Sequence, residues 1–224
     1  MGFKKKIKYY LVHTLKTTNK EAATLINSGS IKINGEVIFT NCIITDYSEI
    51  KVNNTITREK TDCIYLLFNK PIGYESTLNK KIEKNISVFF EDFKNLAIAG
   101  RLDKQSEGLL ILSNDGKWVE SLCHPKFEKE KEYIVTLDKE INDAFIQTFM
   151  NGVNIGNYVT KKCLCEKINA FNIKVILTEG KNRQIRRMCK SLNFNVLKLK
   201  RIRISNYKLN TLKPGEFEFV KINT

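Results

Sequence analysis

The chain has 224 residues and a formal net charge of +14, with hydrophobic and charged fractions of 42% and 28% that suit a globular protein. No apolar run approaches the roughly 18 residues that span a bilayer. The lysine-rich start, Met1 to Lys6, has no apolar stretch behind it, which speaks against a signal peptide and for the cytoplasm.

So large a positive charge exceeds the needs of solubility. It favours a polyanion, nucleic acid ahead of an acidic protein or a membrane surface. The length suits a small domain followed by a medium one.

Residues 1–60 read as a separate module. Ile7, Tyr10, Leu11 and Leu15 recur at helical spacing. Thr18 and Glu21 form a capping box ahead of a second helix that turns Ala22, Leu25 and Ile26 inward, with Gly29 as its stop. Ile31 and Ile33 alternate with polar residues, and Asn34-Gly35 is the signal of a type I′ hairpin. A short strand follows around Ile50–Val52. Two helices on a small hairpin, with Lys16, Lys20 and Lys32 exposed, make a basic face.

The domain boundary is placed near 60, before the apolar run 61–70. The body then alternates strands and helices. Lys131–Leu137 reads as a strand with Tyr133, Val135 and Leu137 on one face. Residues 139–150 read as a helix carrying Ile141, Phe145 and Phe149, ended by Asn151-Gly152. Phe171, Ile173, Val175 and Leu177 alternate through another strand. Residues 182–193 read as a helix with Ile185, Met188, Cys189 and Leu192 inward. Its outer face carries Arg183, Arg186, Arg187 and Lys190.

The six cysteines form no Cys-x-x-Cys pair, and the two histidines lie far from Cys163-x-Cys165. That spacing is poor for zinc, so no metal site is expected and the cysteines read as thiols of a reducing cytosol. A zinc base deaminase would need a His-x-Glu and a Pro-Cys-x-x-Cys, and neither occurs.

The most informative stretch is 100–116. Apolar segments Leu96–Ala99 and Leu109–Leu112 flank a tight polar loop that holds Asp103 beside Arg101. One isolated carboxylate presented by strand ends suits a nucleophile better than a metal cage, which needs several ligands.

The loop sequence Gly100-Arg101-Leu102-Asp103 resembles the GRLD signature of the pseudouridine synthases, in particular the RsuA/RluB/RluE/RluF subfamily. Further blocks resemble that subfamily in order: Asn69 to Gly73, Glu130 to Val135, Glu179 to Cys189, and Leu199 to Ile204. Val159 to Cys163 is similar to its F-type large-subunit enzymes. The N-terminal module resembles the RNA-binding domain first recognised in ribosomal protein S-four, with Lys8, Asn19 and Lys20 standing where that family usually has arginines. Lysine cannot offer the bidentate phosphate contact of arginine.

The resemblance implies an α+β protein: an αα-plus-hairpin RNA-binding domain over 1–60, then a mixed, largely antiparallel-sheet catalytic domain over 61–224. It implies isomerisation of uridine to pseudouridine in RNA, with base extrusion and no cofactor. Asp103 would be the catalytic residue. Arg101 would help fill the space the flipped base leaves, and Tyr133 would stack on the uracil. A cation should face Asp103, Lys181 ahead of Arg183. Lys8, Lys16, Lys20, Lys32, Arg186 and Arg187 are expected on the RNA backbone. The expected partner is structured RNA, 23S ribosomal RNA near the peptidyl-transferase region, bound by a monomer, with no DNA or membrane. The alternatives are 16S RNA or tRNA as substrate, and a non-catalytic ribosome-assembly factor, for which Asp103 and Tyr133 have no use.

Overall fold

The computed structural model describes residues 6–45 and 47–222. The chain divides between Cys63 and Ile64 into two units. The division falls a little beyond 60 because Thr61 still donates its N–H to the carbonyl of Tyr47 in the first unit, at 3.2 Å.

In the first unit α1 (Ile7–His13) and α2 (Asn19–Asn27) pack Ile7, Tyr10, Leu11, Ala22 and Ile26 against Ile31, Ile44 and Ile50. Thr18 and Glu21 form the reciprocal capping box. Strands β1 (Ile31–Ile33) and β2 (Glu36–Ile38) join through Asn34 and Gly35, both at positive φ, +51° and +89°, as a type I′ turn requires. A second hairpin, β3 (Ile50–Val52) and β4 (Thr55–Arg58), turns on Asn53 and Asn54 at φ +51° and +64°. The sheet is thus four-stranded, in the order β2-β1-β3-β4, rather than one hairpin and an extra strand. Asn-Asn is a weaker signal than Asn-Gly because neither residue lacks a Cβ. Lys16 and Lys20 are exposed. Lys8 and Lys32 are half-buried, and the Lys32 ammonium donates to Asn54 Oδ1 at 2.9 Å instead of standing free.

The second unit contains β5 (Tyr65–Lys70), β6 (Ala97–Ile98), β7 (Glu107–Ser113), α3 (Gly116–Cys123), β8 (Lys131–Leu137), α4 (Asp143–Met150) and β9 (Leu164–Lys167). It continues with β10 (Asn172–Leu177), α5 (Gln184–Ser191), β11 (Val196–Ile204), β12 (Tyr207–Lys208) and β13 (Phe217–Phe219). The sheet runs β13-β5-β7-β11-β8-β10-β9, with β6 also on β7 and β12 on β11. Every recorded pairing is antiparallel except β7 with β11. Strands β5 and β7 are buried on both faces. Leu66, Phe68, Leu110 and Leu112 join Tyr133, Val135, Phe145, Phe149, Ile185 and Met188 in one core. Leu67, Leu109 and Ile111 face the other way, onto Val119 and Leu122 of α3. The unit is α+β, as expected.

Three element boundaries differ from the expected ones. The helix expected over 139–150 begins only after Asn142, whose side chain accepts from the Phe145 N–H and so caps it. The strand expected from Phe171 starts at Asn172, and Phe171 is exposed. The helix expected over 182–193 spans Gln184–Ser191, because Arg183 adopts a left-handed φ of +49°. Helix α3 went unread because Asn114-Asp115-Gly116 resembles a turn, whereas Asp115 caps the helix by accepting from Lys117 and Trp118.

Gly108 sits at the crossing that matters for the site. It pairs with Lys70 of β5 on one side and Arg201 of β11 on the other. Its φ is +104°, and a Cβ there would lie 2.2 Å from the Arg201 carbonyl oxygen. Gly108→Ala combines a forbidden backbone with a clash against backbone, and should cost on the order of 3 kcal/mol or more. Urea unfolding of the full chain checks this; a change under 1 kcal/mol would contradict the close approach.

Candidate active site

The loop from Gly100 to Ser106, between β6 and β7, is anchored at nearly every step. Buried Ser76 clamps Leu102: its Oγ accepts from the Leu102 N–H at 3.0 Å and donates to the Leu102 carbonyl at 2.7 Å. The Lys104 carbonyl accepts from the Gly73 N–H at 2.8 Å. The Ser106 N–H closes back on the Asp103 carbonyl at 2.9 Å. Lys70, fully buried, donates through Nζ to the carbonyls of Ser106 and Pro71, at 2.7 and 2.8 Å. So held, Asp103 projects its carboxylate with 25% exposure.

Two guanidinium groups of the α5 segment face that carboxylate. Arg183 Nη1 lies 3.6 Å and Arg186 Nε 3.9 Å from Asp103 Oδ2. Both separations exceed hydrogen-bond length, so the carboxylate keeps lone pairs for a reacting atom while sitting in a positive field. Arg186 is fixed by donating to the carbonyls of Val196 and Gln105, each at 3.0 Å. Burial, then the neighbouring Arg183, lower its affinity for protons, and Asp103 opposes both.

Asp103 opens onto a cavity of about 720 Å³, lined also by Arg101, Lys131, Tyr133, Leu177, Leu199 and Arg201. Tyr133 is 8% exposed. One wall is braced by Glu179, which accepts from the Tyr158 hydroxyl at 2.7 Å, the Lys161 N–H at 2.9 Å and Gln184 Nε2 at 2.7 Å. Among the described residues no group of three or more His, Cys, Asp or Glu could hold a metal.

Residues 64–191 match the family model described as RNA pseudouridylate synthase. The chain is 38% identical over 89% of its length, and 70% of the relative's, to the dual-specificity RNA pseudouridine synthase RluF of Salmonella typhi. It is 30% identical to ribosomal large subunit pseudouridine synthase B of Bacillus subtilis, strain 168, covering 92% of this chain and 88% of that one. A crystal structure of a pseudouridylate synthase superposes with a TM-score of 0.68 at 26% identity, covering 96% of each chain. The chain belongs to the RNA pseudouridine synthases. It is an enzyme that isomerises uridine in RNA, and its similarity to the RluF proteins places it in the RsuA branch of the family.

For a pseudouridine synthase of this branch the structure redistributes the expected cations. Lys181, expected opposite Asp103, lies over the Tyr158 ring at 4.5 Å. The facing cations are Arg183, the rival candidate, and Arg186, which had been assigned to the RNA backbone. Arg183, at the left-handed N-cap of α5, and Arg186, in its first turn, are the two that reach the Asp103 carboxylate. Arg187 is half-buried, and its Nη2 donates to the Ile155 carbonyl. Arg101 is exposed at the cavity and, among the described residues, forms no ion pair. Sequence reading missed Ser76, Lys70 and Arg201 as parts of the site. Lys70 and Arg201 lay within matched blocks; Ser76 carried no signal.

Burial in the sheet lowers the Lys70 ammonium to about 8, against the pull of Glu75, Asp103 and Glu107. An unfolded lysine titrates near 10.5, so between these values the unfolded chain binds the extra proton. Stability contributed at Lys70 should therefore rise with pH across that window and be flat below about 8. The stability difference between wild type and Lys70→Met, followed by denaturation at a series of pH values, should tilt toward wild type as pH rises. A constant difference would contradict the buried ammonium.

Proposed function

We propose that the enzyme modifies a uridine in 23S ribosomal RNA, in a stem-loop or bulge near the peptidyl-transferase region, with Asp103 as the catalytic carboxylate. The observation that carries the reading is the single anchored Asp103, faced by two guanidinium groups at 3.6 and 3.9 Å, at the mouth of a cavity containing Tyr133. The N-glycosidic bond breaks, the uracil turns, and it rejoins the ribose through carbon 5. No oxidation, hydrolysis or group donor is needed.

In this reading Tyr133 stacks on the extruded uracil, a contact worth about 1–3 kcal/mol. Arg101, free at the rim, fills the space the base vacates. Bulged bases are the cheapest to extrude, which favours structured RNA. The first unit, with exposed Lys16 and Lys20, serves as an S-four-like grip on a neighbouring helix. One relative is named for the large ribosomal subunit and another as dual-specificity; a second RNA fits the latter name, and tRNA is the one we propose.

Asp103→Asn should abolish tritium release from carbon-5-labelled uridine RNA while RNA affinity stays within a few-fold. Residual turnover above about one per cent of wild type would remove Asp103 from the reaction. Product mapping on unmodified 23S, 16S and tRNA transcripts tests the target; modification of 16S or tRNA with none in 23S would overturn it and leave the enzyme class intact.

Tyr133→Phe should retain substantial activity and Tyr133→Ala should lose it, because stacking needs the ring rather than the hydroxyl. Equal loss in the two variants would give the hydroxyl a chemical role and displace the stacking account. Steady-state kinetics on the mapped transcript checks it.

A further inference from the structure

Arg201 is a cation the reaction described so far does not use. It is 2% exposed, yet it lines the cavity that Asp103 opens onto. Its Nε donates to the Leu109 carbonyl at 2.8 Å, and its Nη2 is buried with no hydrogen-bond partner. Among the described residues no carboxylate forms an ion pair with it. A guanidinium cannot shed its proton to escape such a place. Taken out of water without a counter-charge, it is costly unless something completes it.

Its position says what would. On β11 it lies directly across from Tyr133 of β8, so the two side chains share a face of the sheet. Lys131, two residues before Tyr133, is on the same face, and Leu177 and Leu199 supply apolar surface around them. Burial, and then Arg201 itself, lower the Lys131 ammonium, which marks both cations as belonging to one positive end of the floor. The exposed cations Arg101, Lys181 and Arg183 stand at the rim, where a phosphate would pass. Arg201 is buried and Lys131 half-buried, on the face of the ring on which a base would stack.

We propose that Arg201 donates from Nη2 to a carbonyl oxygen of the extruded uracil and takes up the charge that the base acquires on cleavage. The proposal rests on the uridine-isomerisation reading above. When the C1′–N1 bond breaks, its electron pair leaves with N1 and spreads over the ring onto O2 and O4. The ribose is satisfied at the same step by bonding to the Asp103 carboxylate or by giving it a C2′ proton. The charge on the base is discharged when C5 bonds to C1′, as the bond to Asp103 breaks or Asp103 returns the proton to C2′; the C5 proton then passes through solvent to N1. A preorganised donor aimed at an oxygen where negative charge develops lowers that barrier more than it tightens ground-state binding.

The test uses the full chain under single-turnover conditions, with a mixture of unmodified 23S and tRNA transcripts made with uridine or with 5-fluorouridine. Loss of the parent nucleoside is read by nuclease digestion and mass spectrometry. Fluorine withdraws electrons, so fluorouracil leaves with less help. Arg201→Gln should slow uridine cleavage roughly 100-fold and fluorouridine cleavage about ten times less, with RNA affinity by filter binding nearly unchanged. Arg201→Lys, which keeps a cation, should fall between, and it carries the comparison if the Gln variant does not fold. Equal slowing of both substrates would reduce Arg201 to a structural residue and overturn the proposal. A loss confined to RNA affinity would mark a phosphate contact instead, and rates within threefold of wild type would also overturn it. A wild-type chain inert on both RNAs would remove the underlying reading, and this proposal with it.

Discussion

The burial of one lysine beneath the Asp103 loop is the contact on which the site depends. Lys70 ends β5 with no exposure, and its ammonium donates to two carbonyls, those of Pro71 and Ser106. The ammonium is a poor guest in a sheet interior, and its lowered proton affinity records that cost. In exchange it fixes Ser106, the point where the loop re-enters β7. Ser76 fixes the other half through Leu102. The loop that carries the Asp103 carboxylate is thus held at both of its halves.

Arg186 is the second half of the same construction. Its guanidinium reaches the carbonyl of Gln105 and Ser106 Oγ as well as the vicinity of Asp103. It therefore locks the loop to α5 and supplies the field around the carboxylate in one stroke. Glu179 does for the opposite wall what Lys70 does for the floor, gathering Tyr158, Lys161 and Gln184 onto one carboxylate. The ionic groups around the cavity are placed mainly by backbone carbonyls and N–H groups, which do not change rotamer.

Much of this was legible from residues. Asn34-Gly35, Thr18 with Glu21, and the alternation through Lys131–Leu137 each carry a local physical rule, and each element formed where the rule put it. Asp103 stood out because its loop and its neighbours were informative together. The partners of Asp103 were legible only in part: Arg183 was one of two candidates, but no sequence rule assigns a left-handed backbone to arginine or turns Arg186 toward the loop. Arg201 and Lys70 were hidden for another reason. A charged residue at the end of a strand, or in one as basic as β11, reads as an edge or a solvated face unless the tertiary fold shows that it is central.

The parallel pairing of β7 with β11 has a consequence for biosynthesis. It joins Gly108 to Arg201 across more than half of the second unit, with β8, β10 and α5 made in between. Contacts so distant along the chain close late, after local elements have formed. Asp103 leaves the ribosome well before Arg186 and Arg201. A nascent or truncated chain thus carries the carboxylate without its surroundings. The carboxylate and the surface opposite it therefore meet only once β11 has docked beside β7.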